Sequence, residues 1–180
     1  IMDSDEKSPS IFNDLNSKIN IQIKKVYIDE INHLNNLNGN INYEKNKIID
    51  LKLESTYPNK KTINLSIKTN NNSETITKLI SNYPKPLIKR YDFIKGFEEG
   101  NLDFYSTKKG GVSNSVLIID NFKVQEVPIF AKLLSLASLQ GIADLLTGEG
   151  IRFTDFEMNF SNKKDLTTIK EMYAIGPAVS

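Results

Sequence analysis

The chain has 180 residues and a nearly balanced charge, with 23 basic against 22 acidic side chains and a net charge of +1. A hydrophobic fraction of 39% and a charged fraction of 25% are ordinary for a folded domain that buries its own core. The charge balance argues against a nucleic-acid-binding protein, which normally carries a clustered basic face. The sequence contains no cysteine, which excludes disulfides and thiolate chemistry.

The first residues, "IMDSDEKSPS", lack the apolar core of a signal peptide. We therefore interpret the chain as a piece of a longer protein. Residues 1–14 are expected to be a disordered tail because they are polar and show no hydrophobic periodicity.

Residues 15–72 are predicted to form a meander of antiparallel strands. In "INIQIKKVYI" apolar and polar residues alternate, as in a half-buried strand, and the phase changes at Lys24-Lys25, where a β-bulge is expected. Three further alternating runs follow, separated by the turn signals "EKNK" and "YPNKK". Residues of one parity share a face, so the pattern predicts one apolar lining. This lining comprises Ile19, Ile21, Ile23, Ile41, Tyr43, Leu51, Leu53, Ile63, Leu65 and Ile67.

Residues 73–180 combine strands with two predicted helices. Ile76, Leu79, Ile80 and Tyr83 have helical spacing, which predicts a short amphipathic helix at about 74–82 that ends before a proline. A further turn or two of helix is expected in "LIKRYDFIKGFEEG". Strands then resume, with turns at "TKKGG" and "SNKKD".

The stretch "VPIFAKLLSLASLQGIADLLTGEGIRF" predicts a long apolar helix at about 129–147. Gly141 weakens its middle by about 1 kcal/mol relative to alanine, so one rod and a kinked pair of helices fit equally well. Lys132 and Asp144 would each cost about 2.5–3.5 kcal/mol near the centre of a membrane-spanning helix, which argues against a span. Two interpretations remain, a buried helix that plugs one end of the sheet and a helix that lies against lipid.

The sequence predicts no enzyme activity, no cofactor and no metal site. His33 is the only histidine and lies in a loop-like segment, which favours a surface position over a ligand or general base. Without cysteine or a compact carboxylate cluster, the residues for a transition-metal site are missing. The sequence also lacks a G-x-S-x-G nucleophile motif and a phosphate-binding glycine loop.

Taken together, these patterns predict an α+β fold that is mainly antiparallel β. We expect a curved, elongated meander sheet, open like a trough, with one short helix and one long apolar helix.

The order of motifs in the last hundred residues resembles the C-terminal region of the AsmA-like family, in the branch that includes YhdP and is related to TamB. The resemblance rests on "VLIIDNFKVQEVPIFAKLLSLASLQGIADLLTGEGIRFTDFEMNF" followed by "AIGPAV", and it covers about residues 73–180. It implies a non-enzymatic segment of a Gram-negative envelope protein, located in the periplasm and anchored to the inner membrane through a segment absent from this chain. The strands of such proteins are expected to curl into an apolar trough that carries phospholipid between the inner and outer membranes.

The resemblance implies phospholipid as a partner, with both membranes contacted by the full-length protein and other envelope proteins as further candidates; nucleic acid is not expected. It favours the lipid-facing interpretation of the 129–147 helix. The residues expected to face lipid are Ile21, Ile23, Leu51, Leu53, Leu65, Leu133, Leu134, Leu136, Ile142, Leu145, Leu146 and Phe153. The alternative is a structural or assembly scaffold of the envelope, whose apolar face is closed by its own helices or by another protein.

Overall fold

The computed structural model describes residues 16–45, 47–90, 94–125 and 150–176. They form one open sheet of nine antiparallel strands, each paired with its neighbours in sequence order. The strands are β1 (Ser17–Tyr27), β2 (His33–Glu44), β3 (Lys47–Thr56), β4 (Thr62–Thr69), β5 (Thr75–Ser81), β6 (Phe97–Lys109), β7 (Val112–Val124), β8 (Ile151–Lys163) and β9 (Leu166–Ile175). One short helix, α1 (Lys85–Arg90), connects β5 to β6. The prediction of a mainly antiparallel meander is confirmed, and the described residues contain no long helix.

The four predicted turns all connect adjacent strands. "EKNK" joins β2 to β3, "YPNKK" joins β3 to β4, "TKKGG" joins β6 to β7, and "SNKKD" joins β8 to β9. In the β6–β7 turn Gly110 and Gly111 have φ values of 57° and 79°, the left-handed pair that a two-residue hairpin requires. The meander therefore follows from local turn chemistry.

The predicted helix at about 74–82 is wrong, because this segment is strand β5. A strand satisfies the same apolar spacing: Leu79 lies on one face, between Leu65 and Phe104, whereas Ile76 and Ile80 lie on the other face. The β-branched side chains of the segment favour a strand, and neighbours on both sides supply ladder hydrogen bonds.

The helix begins only after Pro84. The carbonyl oxygen of Pro84 accepts hydrogen bonds from the backbone N–H groups of Leu87 and Ile88, at 2.9 and 3.0 Å. The helical turn predicted for "LIKRYDFIKGFEEG" is present in its first four residues, while the end of that segment already belongs to β6. Proline at the start of α1 fits the first turn of a helix, where the missing N–H has no partner to lose.

The bulge expected at Lys24-Lys25 of β1 does not occur there; the irregularity lies in the neighbouring strand, β2. The β1–β2 ladder keeps one register throughout, whereas β2 shifts against β3 between Asn35 and Asn38. Asn36 lies within this shift and has a φ of 53°. The bulge is therefore an extra residue in β2 relative to β3, and it lies beside the point where the alternation of β1 changes phase.

The predicted tail at 1–14 and the predicted helix at 129–147 lie outside the described residues. The connection that includes the apolar stretch starts from Val124 of β7 and returns at Ile151 of β8, and these two residues are paired. Both of its ends therefore lie at the same end of the sheet as α1. The sheet also continues across residue 72, which lies in the turn between β4 and β5.

The hydrophobic core lies where α1 packs against the sheet. Phe122 stacks between Phe97 and Phe153, with ring centroids 5.4 and 5.1 Å apart. The buried cluster comprises Ile88, Phe97, Leu102, Ile119, Phe122, Val124, Ile151, Phe153, Phe156 and Met158. The core thus belongs to α1 and to the strands from β6 to β8.

Candidate functional site

The most extensive candidate site is the apolar face of the sheet, where cross-strand register places apolar side chains in rows. Directly paired residues of antiparallel strands project from the same face. The central row crosses all nine strands through Ile21, Gly39, Leu53, Leu65, Leu79, Phe104, Leu117, Met158 and Met172. Eight of these nine residues are hydrophobic and the ninth is a glycine, so no charged or polar side chain interrupts the row.

Two flanking rows widen this apolar face. One passes through Ile19, Ile41, Leu51, Ile67, Thr77, Ser106, Ser115, Phe160 and Ile169. The other passes, from β3 to β9, through Ser55, Ile63, Ser81, Leu102, Ile119, Phe156 and Ala174. The register thus confirms that the predicted lining shares one face, including the pair Leu51 and Leu65.

The opposite face is mainly polar along its central row. A row displaced by one residue passes through Asn20, Asn40, Lys52, Ser66, Lys78, Tyr105, Val116, Asn159 and Glu171. The ammonium group of Lys78 lies 5.1 Å from the ring centroid of Tyr105, a cation–π contact. The central rows of the two faces therefore differ sharply in chemistry.

Carboxylates gather on the polar face near β7. Burial raises the pKa of Asp120, and the negative charges of Asp155 and Asp103 raise it further. Among the described residues, no group of three or more histidine, cysteine, aspartate or glutamate side chains is arranged to hold a metal ion. We therefore assign no chemistry to this cluster.

Exposure varies along the apolar face. The middle is covered, with Ile119 fully buried beneath the core around α1. The two end strands are open, since Ile23 of β1 is 44% exposed and Met172 of β9 is 59% exposed. A ligand could therefore reach the rows from either end strand.

The residues predicted to face lipid have different positions. Ile21, Leu53 and Leu65 are half-buried in the central row, Ile23 is exposed, and Leu51 is buried at 6% exposure in a flanking row. Phe153 is a core residue in the stack with Phe122. Leu133, Leu134, Leu136, Ile142, Leu145 and Leu146 lie outside the described residues.

Sequence reasoning missed the continuation of the central row beyond β4. The missed residues are Leu79, Phe104, Leu117, Met158 and Met172. The alternation of apolar and polar residues in "NLDFYS" and "SVLIID" indicated strands on this side of the sheet. Because residues 74–82 were predicted as a helix, no strand was expected between β4 and β6. Strand β5 pairs with both β4 and β6, so the central row continues from β4 to β9.

This face can bind a ligand chiefly by excluding water from apolar surface, which stabilises a complex by roughly 25 cal/mol per Å² buried. No helix in the described part of the chain has the length and apolar character needed to cross a membrane. Comparisons with family models, curated proteins and solved structures found no match for this chain.

Proposed function

We propose that the chain is a non-enzymatic segment of a bacterial envelope protein and that its apolar face is part of a trough for phospholipid transport between the inner and outer membranes. The observation that carries this proposal is the central row, which is free of polar side chains from β1 to β9. The likeness of residues 73–180 to AsmA-like proteins supports it. In this proposal the chain lies in the periplasm and is anchored to the inner membrane through a segment outside it.

The dimensions of the row suit an acyl chain. Nine strands about 4.8 Å apart span roughly 40 Å, which exceeds the hydrocarbon thickness of a bilayer, about 30 Å. From β1 to β4, where the row is only half-buried, a chain that lies along it meets only hydrophobic side chains and Gly39. The exposed end strands supply positions where such a ligand can enter and leave.

A long-range contact supports the curvature that a trough requires. The Arg90 guanidinium, at the end of α1, donates a hydrogen bond to the carbonyl oxygen of Ile28, in the loop after β1. The helix follows β5, and four strand spacings, about 19 Å in a flat sheet, separate β1 from β5. A sheet that curves towards its apolar face would bring these elements together.

The proposal is tested by photocrosslinking in cells that make the full-length protein. A photoreactive amino acid at Leu65 should capture phospholipid, because this residue lies in the middle of the central row. The control position is Lys52, which lies on the polar face of the neighbouring strand. Equal capture at the two positions would contradict a lipid trough.

A scaffold of the cell envelope is the second candidate function. It is favoured by the closed core, where Ile88 of α1 belongs to the same buried cluster as Leu102 and Ile119 of the apolar face. A scaffold would close the remaining part of this face with protein as well. Crosslinks from Leu65 would then join the chain to a protein, and phospholipid would be absent from the adduct.

A further inference from the structure

One end of the sheet carries a rim of lysines. We call this set the basic rim; it comprises Lys45 and Lys47 of the β2–β3 turn, Lys108 and Lys109 of the β6–β7 turn, and Lys163 and Lys164 of the β8–β9 turn. The acidic residues of these turns and of the β4–β5 turn at the same end are Glu44, Glu74 and Asp165, so six lysines against three carboxylates leave a net charge of +3. Within the described part of the chain, no lysine of the basic rim forms an ion pair.

The register holds these lysines close together. Val112 pairs with Lys109 on one side and with Lys163 on the other, so the two lysine Cα atoms are about 10 Å apart. A Cβ atom built on Gly110 or Gly111 would meet nothing within 4 Å, so the β6–β7 turn has open space around it. The rim is therefore accessible to a ligand of some size.

A groove of about 650 Å³ joins the basic rim to the apolar face. Three lysines line it, Lys47, Lys108 and Lys109. Its apolar lining consists of Tyr43, Ile48 and Ile67, and Ile67 belongs to the flanking row of the apolar face. Positive charge and apolar surface thus meet in this groove, which we call the turn-end groove.

A groove at the other end of the sheet provides a contrast. It is lined by lysines as well, but Lys85 there pairs with Glu98 at 2.5 Å, so that charge is already balanced. No aspartate or glutamate is among the described residues that line the turn-end groove. The lysines of the turn-end groove therefore keep their charge available for an anion.

We propose that this groove binds the phosphate-bearing head group of a phospholipid whose acyl chain lies on the apolar face. The inference rests on the proposed function and adds the head group's place and charge to it. Lysine binds phosphate as a point charge on a flexible stem, which suits a head group that moves along a rim. The adjoining apolar lining selects an amphiphile over free phosphate, since only an amphiphile buries that surface.

The test measures binding of a short-chain phosphatidylglycerol, below its micelle concentration, to the full chain. The variant is Lys108→Gln with Lys109→Gln. Its matched control is Lys60→Gln with Lys61→Gln, which removes the same charge from two exposed lysines in the β3–β4 turn at the opposite end. Each lysine near an anionic lipid contributes about fivefold in affinity, so Kd should rise at least about tenfold in the variant and stay unchanged in the control.

Two further ligands test the chemistry of the site. A diacylglycerol of the same chain length lacks the phosphate and should bind at least about tenfold more weakly, by the same lysine contribution. Inorganic phosphate at millimolar concentration should not displace the phospholipid. Equal binding of the diacylglycerol, displacement by phosphate alone, or an equal loss in the control variant would each overturn the head-group assignment.

Phospholipid binding by an Ile67→Asp variant distinguishes a failure of the head-group site from a failure of the proposed function. If that change abolishes phospholipid binding and the Lys108 and Lys109 variant leaves it intact, the apolar trough stands and the head-group site is wrong. If the unaltered chain binds no phospholipid, the proposed function fails and this inference fails with it.

Discussion

Leu53 of β3 and Leu65 of β4 lie directly opposite each other on the apolar face. One residue away, Lys52 and Ser66 are paired on the polar face. A shift of a single residue in either strand would exchange these environments, so burial of the apolar side chains fixes the register. The two pairs define the central contrast of the sheet and supply matched positions for mutation.

Leu65→Asp and Ser66→Asp should have opposite consequences. An aspartate at position 65 places a charge in a half-buried apolar row and should lower the free energy of unfolding by about 1–3 kcal/mol. An aspartate at position 66 lies between Lys52 and Lys78, where it gains two favourable neighbours. Chemical denaturation of both variants measures the difference, and equal destabilisation would contradict the assignment of faces.

Gly39→Val should destabilise the sheet although valine favours strands. A Cβ atom at Gly39 would lie 1.9 Å from the backbone oxygen of Lys52 and 2.8 Å from a methyl carbon of Leu53, so β3 would have to move. We expect a loss of about 1–3 kcal/mol, the usual cost of overpacking. Asn40→Val on the exposed polar face is the control and should be nearly neutral. Thermal unfolding compares the two, and a stable Gly39→Val variant would disprove the close approach of β2 and β3.

Phe122→Ala should be among the most damaging substitutions in the described core. The ring stacks on both Phe97 and Phe153 and is 2% exposed, so its removal should cost about 3–5 kcal/mol. The control is Tyr105→Ala on the polar face, where the lost contact with Lys78 is worth about 1 kcal/mol. Urea denaturation measures both changes, and similar midpoints would contradict a core centred on β6 to β8.

The sequence predicted the parts of the fold that local chemistry decides. Alternation placed β1 to β4, and the turn signals placed the hairpins, because each of these features lies within a dozen residues. The lining through Leu53 and Leu65 followed, since strand parity alone determines which residues share a face.

The prediction from sequence was wrong at β5, where pairing with neighbouring strands decides between the helical and the strand period. Ile76, Leu79 and Ile80 fit helix and strand equally over so short a segment, and only pairing with β4 and β6 selects the strand. The basic rim was also invisible as a unit, because its lysines come from three turns spread over more than a hundred residues of the chain. Each pair of lysines taken alone is an ordinary solvated turn.

The last prediction concerns Tyr57, whose ring is 1% exposed. Its hydroxyl lies 3.1 Å from the hydroxyl of Ser81, which is also buried, and its ring meets Tyr83 edge-on at 5.2 Å. Burial raises the pKa of Tyr57 above its ordinary value of 10.0, outweighing the hydrogen bond with Ser81, which lowers it. The folded chain therefore holds this proton more tightly than the unfolded chain does.

The difference between the folded and unfolded pKa of Tyr57 determines how the free energy of unfolding changes with pH. Below pH 10 both states keep the proton, so the group adds no pH dependence. Above pH 10 the unfolded chain loses the proton first, and the free energy of unfolding should fall until the folded pKa is passed. Tyr57→Phe removes this fall, and at neutral pH it should cost about 1 kcal/mol through the lost hydrogen bond to Ser81. Urea denaturation of both proteins from pH 7 to pH 11 measures the effect. Parallel curves for the two proteins would show that Tyr57 ionises as easily in the folded chain as in the unfolded one.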